Sequence, residues 1–351
     1  MIDSNRLAAL SPILDHYQIE PYFVEDFGKV RKIYSRKGTF ALKKIVPHSG
    51  TDFIRHVHTL YQKGYNRIVP IYPTADGRYA ILHERDLYYL MPWLPNELNE
   101  TRNERHRQLF RELARLHTLS AKEINVKKEE RTEHYEKTIR QLEKNQEFLD
   151  GFVEECEKKM YMSPFELLFC LYFNEIGQAL RFSKDKFEEW FESTKEQEKA
   201  RTVVNHGKVS SEHFLYDERG YGYFTNFEQA GYGSPIQDIL PFLSRTLNTR
   251  PKRDDECIDW IHHYNRYFPF KPDEKLLFLS YLAYPVQIIQ IVENYYHKEP
   301  NKRNELKFVK QLQRRYWHLK NTEYVAMKFA ESSQPSSQLS EQQAKEGAPE
   351  S

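Results

Sequence analysis

The stretch from Val203 to Asp238, VVNHGKVSSEHFLYDERGYGYFTNFEQAGYGSPIQD, constrains the fold of this chain more than any other. Val203 and Val204 open a β-branched run that leads into His206-Gly207, and Phe214-Leu215 and Tyr221 to Phe224 flank the turn Asp217-Glu218-Arg219-Gly220. That spacing is hairpin chemistry. It predicts a strand, a polar loop, a hairpin and a second polar loop, with the first loop at the mouth of a small sheet. The loops carry His206, Lys208, Ser210 and His213, then Asn226 and Glu228.

Upstream, Leu7 to Tyr17 reads as a short amphipathic element. Tyr22 to Glu25, Val30 to Tyr34 and Thr39 to Val46 read as strands, the first turn being Asp26-Phe27-Gly28-Lys29 with one glycine. Asp52 to Gly64 has helical spacing that buries Phe53, Val57 and Leu60. Its His56 and His58 are expected on the surface. Ile68 to Tyr72, Tyr79 to His83 and Leu87 to Met91 complete a sheet of five or six strands. In Met91-Pro92-Trp93-Leu94-Pro95, prolines on both sides of Trp93 favour extended backbone, so this is the expected connector between two lobes.

Beyond the connector the period is helical. Leu109, Leu113 and Leu116 form one stripe, ending in Ala114-Arg115-Leu116-His117. Lys122 to Lys159 is dense in glutamate and lysine and is expected as a long exposed helix laced with i,i+4 pairs. Phe165 to Phe173 is predicted as the central helix of the C-terminal lobe, with Phe187, Trp190 and Phe191 on a separate one. Further helices are expected from Asp254 to Tyr267, from Asp273 to Tyr296 with a break at Pro285, and from about Asn304 to Phe329.

The expected organisation is an N-terminal lobe over 1–92, a helical C-terminal lobe over 93–330, and a tail over 331–351. The tail is rich in Ser, Gln, Glu and Pro and is expected to be disordered. The 52 Lys and Arg nearly cancel the 51 Asp and Glu, leaving a net charge of +1, which gives no nucleic-acid footprint. Three scattered cysteines, Cys156, Cys170 and Cys257, form neither a disulfide framework nor a zinc pattern. The N-terminus lacks signal-peptide character, and no segment is expected to approach the length of a membrane span.

The layout of the Val203 to Asp238 stretch resembles the aminoglycoside and choline phosphotransferases, whose loop reads H-G-D-x-H-x-x-N and is followed after a hairpin by D-F-D or D-F-E. The resemblance implies an α+β, bilobal, protein-kinase-like fold, with a small N-terminal antiparallel sheet lobe and a larger helical C-terminal lobe. In that register His206 and Gly207 match. Lys208 stands where the catalytic aspartate belongs, Ser210 replaces the second histidine, His213 replaces the metal-binding asparagine, and Asn226-Phe227-Glu228 replaces the acidic triplet. Lys43, in Phe40-Ala41-Leu42-Lys43, is similar to the lysine that holds nucleotide phosphates. The alternative reading of Lys43 is a solvated strand residue beside Lys44. The helix after it offers no glutamate to pair with Lys43. Gly231, Pro235 and Asp238 match the family's tail, where the aspartate braces the loops.

Phosphoryl transfer needs a carboxylate to orient the attacking hydroxyl and oxygen ligands to hold magnesium. A lysine at the base position opposes both, since two like unit charges about 4 Å apart repel by roughly 4 kcal/mol at an effective dielectric of 20. No residue is therefore expected to be catalytic, and His206, Lys208, Ser210 and His213 mark a degenerate loop. Lys43, Asn226 and Glu228 form a nucleotide or metal site at most, with no dedicated metal site and no cofactor expected. ATP with magnesium is the only cofactor to weigh.

The combination of LKK, MPWLP, HGKxSxxHFL, YGYFTNFE and SPIQD further resembles the spore coat proteins related to CotS, the YsxE group in particular. That resemblance implies synthesis in the mother-cell cytoplasm, assembly onto the spore coat and binding to other coat proteins. The expected function is a noncatalytic, pseudokinase-like assembly protein. The alternative is a divergent ATP-dependent phosphotransferase acting on a small molecule, with Glu228 or Glu212 supplying the missing carboxylate.

Overall fold

The computed structural model describes residues 4–46, 52–97, 101–247 and 249–331. The expected tail over 331–351 therefore lies outside the described residues except for Glu331. The chain divides into two compact units, one formed by 1–123, 201–242 and 263–268, the other by 124–200, 243–262 and 269–351.

The first unit begins with helix α1 (Ser4–Leu14), then strands β1 (Pro21–Phe27), β2 (Val30–Ser35) and β3 (Gly38–Ile45), helix α2 (Asp52–Gln62), and strands β4 (Ile81–His83) and β5 (Asp86–Pro92). The five strands pair antiparallel in the order β1-β2-β3-β5-β4. Alternation sorts their two faces. Val24, Ile33, Phe40, Leu42, Tyr88 and Leu90 pack with Leu10, Ile13 and Leu14 of α1 into one core. Lys43, which follows Leu42, therefore stands on the opposite face.

The tight turn between β1 and β2 is reversed by Gly28 at φ +78°. Of the strands expected between 68 and 83, only β4 forms. Ile68 and Tyr72 make single bridges to Phe224 and Leu90, because Pro70 and Pro73 remove the donors that a continuous ladder requires.

Helix α3 (Arg102–Ser120) opens at Thr101, whose side chain accepts the Glu104 N–H at 3.3 Å, and it buries the expected Leu109, Leu113 and Leu116. Strand β6 (Lys122–Asn125) and helix α4 (Lys128–Glu157) share the segment read as one helix, so the glutamate-rich helix starts later than its composition suggested.

Helix α5 (Pro164–Thr194) is a correction. Thirty-one residues run unbroken where two helices were expected, because the segment between Phe173 and Phe187 contains no proline and itself buries Ile176, Leu180 and Ser183 at helical spacing. It starts in a capping box: Ser163 accepts the Glu166 N–H, and the Glu166 carboxylate takes the Ser163 N–H at 2.9 Å.

Strand β7 (Lys199–Asn205) carries Val203 and Val204, and β8 (Phe214–Tyr216) and β9 (Gly222–Phe224) form the predicted hairpin. Short β10 (Gly231–Gly233) pairs antiparallel with β7, Gly231 opposite Asn205. Helices α6 (Ile236–Thr246), α7 (Asp255–Tyr267), α8 (Pro272–Ala283), α9 (Val286–Tyr296) and α10 (Glu305–Glu331) follow, with α8 and α9 separated at Tyr284-Pro285 as expected.

The second unit has its own core, in which Leu149, Phe152, Phe165, Phe169, Ile176, Val292 and Leu312 are buried together. One expectation about length fails here. Pro272–Tyr296 is long and apolar enough to cross a membrane by composition alone, but it breaks at Pro285 and half of it is buried inside the protein.

Candidate functional site

The first unit places Lys43 in the middle of β3, directly across from Tyr89 of β5 and Val30 of β2. It is 7% exposed. The alternative of a solvated strand lysine is thereby excluded, and its neighbour Lys44 is the more exposed of the two, half-buried and paired with Asp86 at 2.6 Å. The Lys43 ammonium donates to Asn226 Oδ1 and to Glu228 Oε1, and Tyr89 donates its hydroxyl to the same Glu228 oxygen at 2.6 Å. A buried cation has thus found a half-buried anion, supplied by the segment after β9 and not by α2.

Burial drives the Lys43 pKa down, opposed by the Glu228 charge, while the positive charges of Lys208 and Lys29 push it further down. For Glu228 burial works toward a higher value. The Lys43 charge and hydrogen bond, with the Tyr89 hydrogen bond, outweigh burial and hold the carboxyl below its ordinary range. Asn226 reaches Lys43 from a left-handed backbone, φ +69° and ψ +48°, a conformation asparagine tolerates better than most residues.

The first loop is built on Asp238. Its carboxylate, fully buried near the start of α6, accepts the N–H groups of His206 at 2.7 Å and Gly207 at 2.8 Å. It also lies 3.2 Å from His117 Nε2, whose Nδ1 meets the Tyr264 hydroxyl at 2.6 Å. Asp238 therefore braces the loop.

His206 has no exposure and is held as a neutral ring. Its Nδ1 accepts the Lys208 N–H at 3.2 Å, leaving Nε2 to donate to the Thr225 carbonyl at 2.7 Å, and burial lowers its pKa. Gly207 takes φ +79°, and a Cβ there would come within 2.1 Å of the Gln229 carbonyl oxygen. His213 is buried and its Nδ1 lies 2.8 Å from the Lys208 carbonyl oxygen, so it donates there. Lys208 itself is exposed, and its charge is felt at both Lys43 and His213.

Ser210 Oγ is buried with no hydrogen-bond partner among the described residues, and Glu212 is exposed and takes no part in the network. His56 and His58, expected on the surface, are half-buried with edge contacts to Tyr232 and Tyr79.

These groups brought together differ from a metal centre in one respect. The two side-chain oxygens nearest the lysine, Asn226 Oδ1 and Glu228 Oε1, are donor-bound to an ammonium, and among the described residues no group of three His, Cys, Asp or Glu side chains converges. Arranged this way, both oxygens are engaged by the ammonium and would have to leave it before either could face a divalent ion. Tyr89 and the Lys43–Glu228 pairing were not read from the sequence. The strand register that sets Tyr89 opposite Lys43 is the signal that would have found the tyrosine, and α2 was searched in place of the segment after β9.

Comparison with known proteins bears on the family and the fold. A family described as "Spore coat putative kinase YutH" matches residues 11–329. The chain belongs to this spore coat family. The expected resemblance to spore coat proteins related to CotS holds. No individually curated protein matches.

Among solved structures, an aminoglycoside phosphotransferase from Alicyclobacillus acidocaldarius is similar with a TM-score of 0.63 and 16% identity, over 89% of this chain and 95% of that one. Spectinomycin phosphotransferase in complex with ADP and spectinomycin gives a TM-score of 0.53 and 13% identity, over 92% and 98%. At such identity the likeness shows the fold alone. The fold is mixed α+β and kinase-like, with an N-terminal antiparallel sheet and a larger helical C-terminal part.

Proposed function

We propose that this spore coat family member is made in the mother-cell cytoplasm and acts in coat assembly by binding other coat proteins, with its phosphotransferase fold no longer transferring phosphate. One observation carries the reading: Lys43 is neutralised inside the protein by Glu228 and hydrogen-bonded to Asn226, while exposed Lys208 follows His206-Gly207 where the related enzymes carry an acid. A divalent ion about 4 Å from Lys208 would meet roughly 8 kcal/mol of repulsion at an effective dielectric of 20. Further support comes from Phe27, in the glycine-poor turn, whose ring stacks on Trp93 of the connector at 5.7 Å and so covers the strip against which the resemblance would place a nucleotide base.

The test is incubation of the purified protein with labelled ATP, magnesium or manganese, and a panel of aminoglycosides, choline and hydroxylated amines. No turnover is expected. Reproducible transfer that disappears in Lys43→Ala would overturn the proposal. For the binding role, isolated coat proteins are passed over the immobilised chain, and saturable binding that persists without nucleotide is the expected result.

A second reading, a divergent phosphotransferase, is favoured by the family's description as a kinase and by Glu228, an ionised carboxylate already beside Lys43. It requires Lys43 to release Glu228 to a metal. Its signature is metal-dependent stabilisation by ATP of about 2.7 kcal/mol at a hundredfold the dissociation constant. Stabilisation by ATP in the presence of EDTA would instead point to a nucleotide held by Lys43 and Lys208 as a structural ligand.

A further inference from the structure

In the second unit a cavity of about 240 Å³ opens where the start of α4 meets the end of α5 and the first turn of α8. Arg131 lines it. The residue is 6% exposed, and its guanidinium Nη1 donates to the carbonyl oxygens of Thr194 and Gln197, at and just beyond the last turn of α5. No carboxylate neutralises it among the described residues. A buried cation left with carbonyl partners alone keeps an unmet attraction for an anion. Lys199, which has no ion-pair partner among the described residues, adds a second positive charge to the rim.

Asp273 lines the same cavity and meets no cation within ion-pair distance among the described residues. The neighbouring Glu130 is turned to Lys127 at 3.6 Å. Two opposite charges thus share one small cavity without closing on each other. An aromatic wall stands beside them, where the rings of His134 and Trp190 meet edge to face at 6.0 Å.

From this juxtaposition we infer that the cavity is a binding site for a small zwitterion of the free amino-acid type, its carboxylate on Arg131 and Lys199, its ammonium on Asp273, and its carbon skeleton against Trp190. The charges are complementary to a dipolar molecule and to neither a simple anion nor a simple cation. The volume admits a molecule of about ten non-hydrogen atoms and excludes a nucleotide. The site is independent of the Lys43 network and of any phosphoryl chemistry.

The test is calorimetric titration of the full-length protein with glycine, L-alanine, L-leucine and L-glutamate, alongside acetate and methylamine, while tryptophan fluorescence is followed. At least one amino acid is expected to bind at millimolar or lower concentration, with acetate and methylamine about tenfold or more weaker. Lys199→Glu and Asp273→Asn, both at solvent-reached positions, are each expected to weaken binding about tenfold with the thermal transition kept. Trp190→Phe is expected to abolish the fluorescence change. Absence of binding by every amino acid at about 10 mM, acetate binding as well as the amino acids, or binding indifferent to both charge variants would overturn the proposal.

Discussion

Lys43 and Glu228 stabilise the first unit only as a pair. Each is nearly buried, so removing one leaves the other as an uncompensated charge in a poorly solvated place. Lys43→Ala and Glu228→Ala are each expected to destabilise by about 3–5 kcal/mol, read from urea midpoints at neutral pH. The double variant Lys43→Met with Glu228→Leu should cost clearly less than the sum of the singles. Additive losses would mean the two charges do not depend on each other. Gly207 offers a second residue-scale test. Its φ of +79° and the Gln229 carbonyl 2.1 Å from a would-be Cβ leave no room for alanine, so Gly207→Ala is expected to lose about 2 kcal/mol or more in the same assay. The sequence exposed these positions unevenly. His206, Gly207, Asn226 and Glu228 stand out by spacing in the chain, whereas the partner of Lys43 is fixed only when the segment after β9 folds back under β3, a long-range contact that no local pattern encodes.

At the scale of elements, the loop after β7 keeps its shape because two consecutive N–H groups converge on one carboxylate. Asp238→Asn preserves the size but leaves one oxygen to serve both donors and turns an amide N–H₂ toward the other. The expected loss is about 2–3 kcal/mol, measured by chemical denaturation, with faster amide exchange at His206 and Gly207. Indifference to this change would show that the loop is held elsewhere. Helix α5 depends on its start. Ser163→Ala removes the side-chain acceptor of the Glu166 N–H and is expected to cost about 1 kcal/mol. Both effects bear on what was legible. The hairpin, the five-stranded sheet and the break at Pro285 follow from turn and proline chemistry written into the chain. The fusion of two expected helices into α5 was hidden because Ile176, Leu180 and Ser183, which carry its buried side across the join, are thinly spread among polar residues.

For the whole molecule, acid is the condition under which the burial of histidines shows itself. His206 and His213 of the first unit and His134 and His318 of the second all have lowered pKa values, burial being the first cause in each. The folded chain keeps these rings neutral, while the unfolded chain protonates them near 6.5. Below that pH the unfolded state binds more protons, so stability falls as pH drops and is complete above it. Each such histidine contributes a slope of at most about 1.4 kcal/mol per pH unit. Near pH 4.5 and below, protonation of Glu228, whose folded pKa is depressed, removes a further contribution in the same direction. Melting temperatures taken from pH 7.5 to 5 at constant ionic strength are therefore expected to decline progressively below about 6.5. His206→Gln, which can still donate to the Thr225 carbonyl, is expected to be less stable than the parent at pH 7.5 yet to lose stability more slowly as pH falls. A parent melting temperature that is flat across this range, or a variant whose decline is as steep as the parent's, would show that the buried ring at His206 is not one of the groups through which acid unfolds the protein.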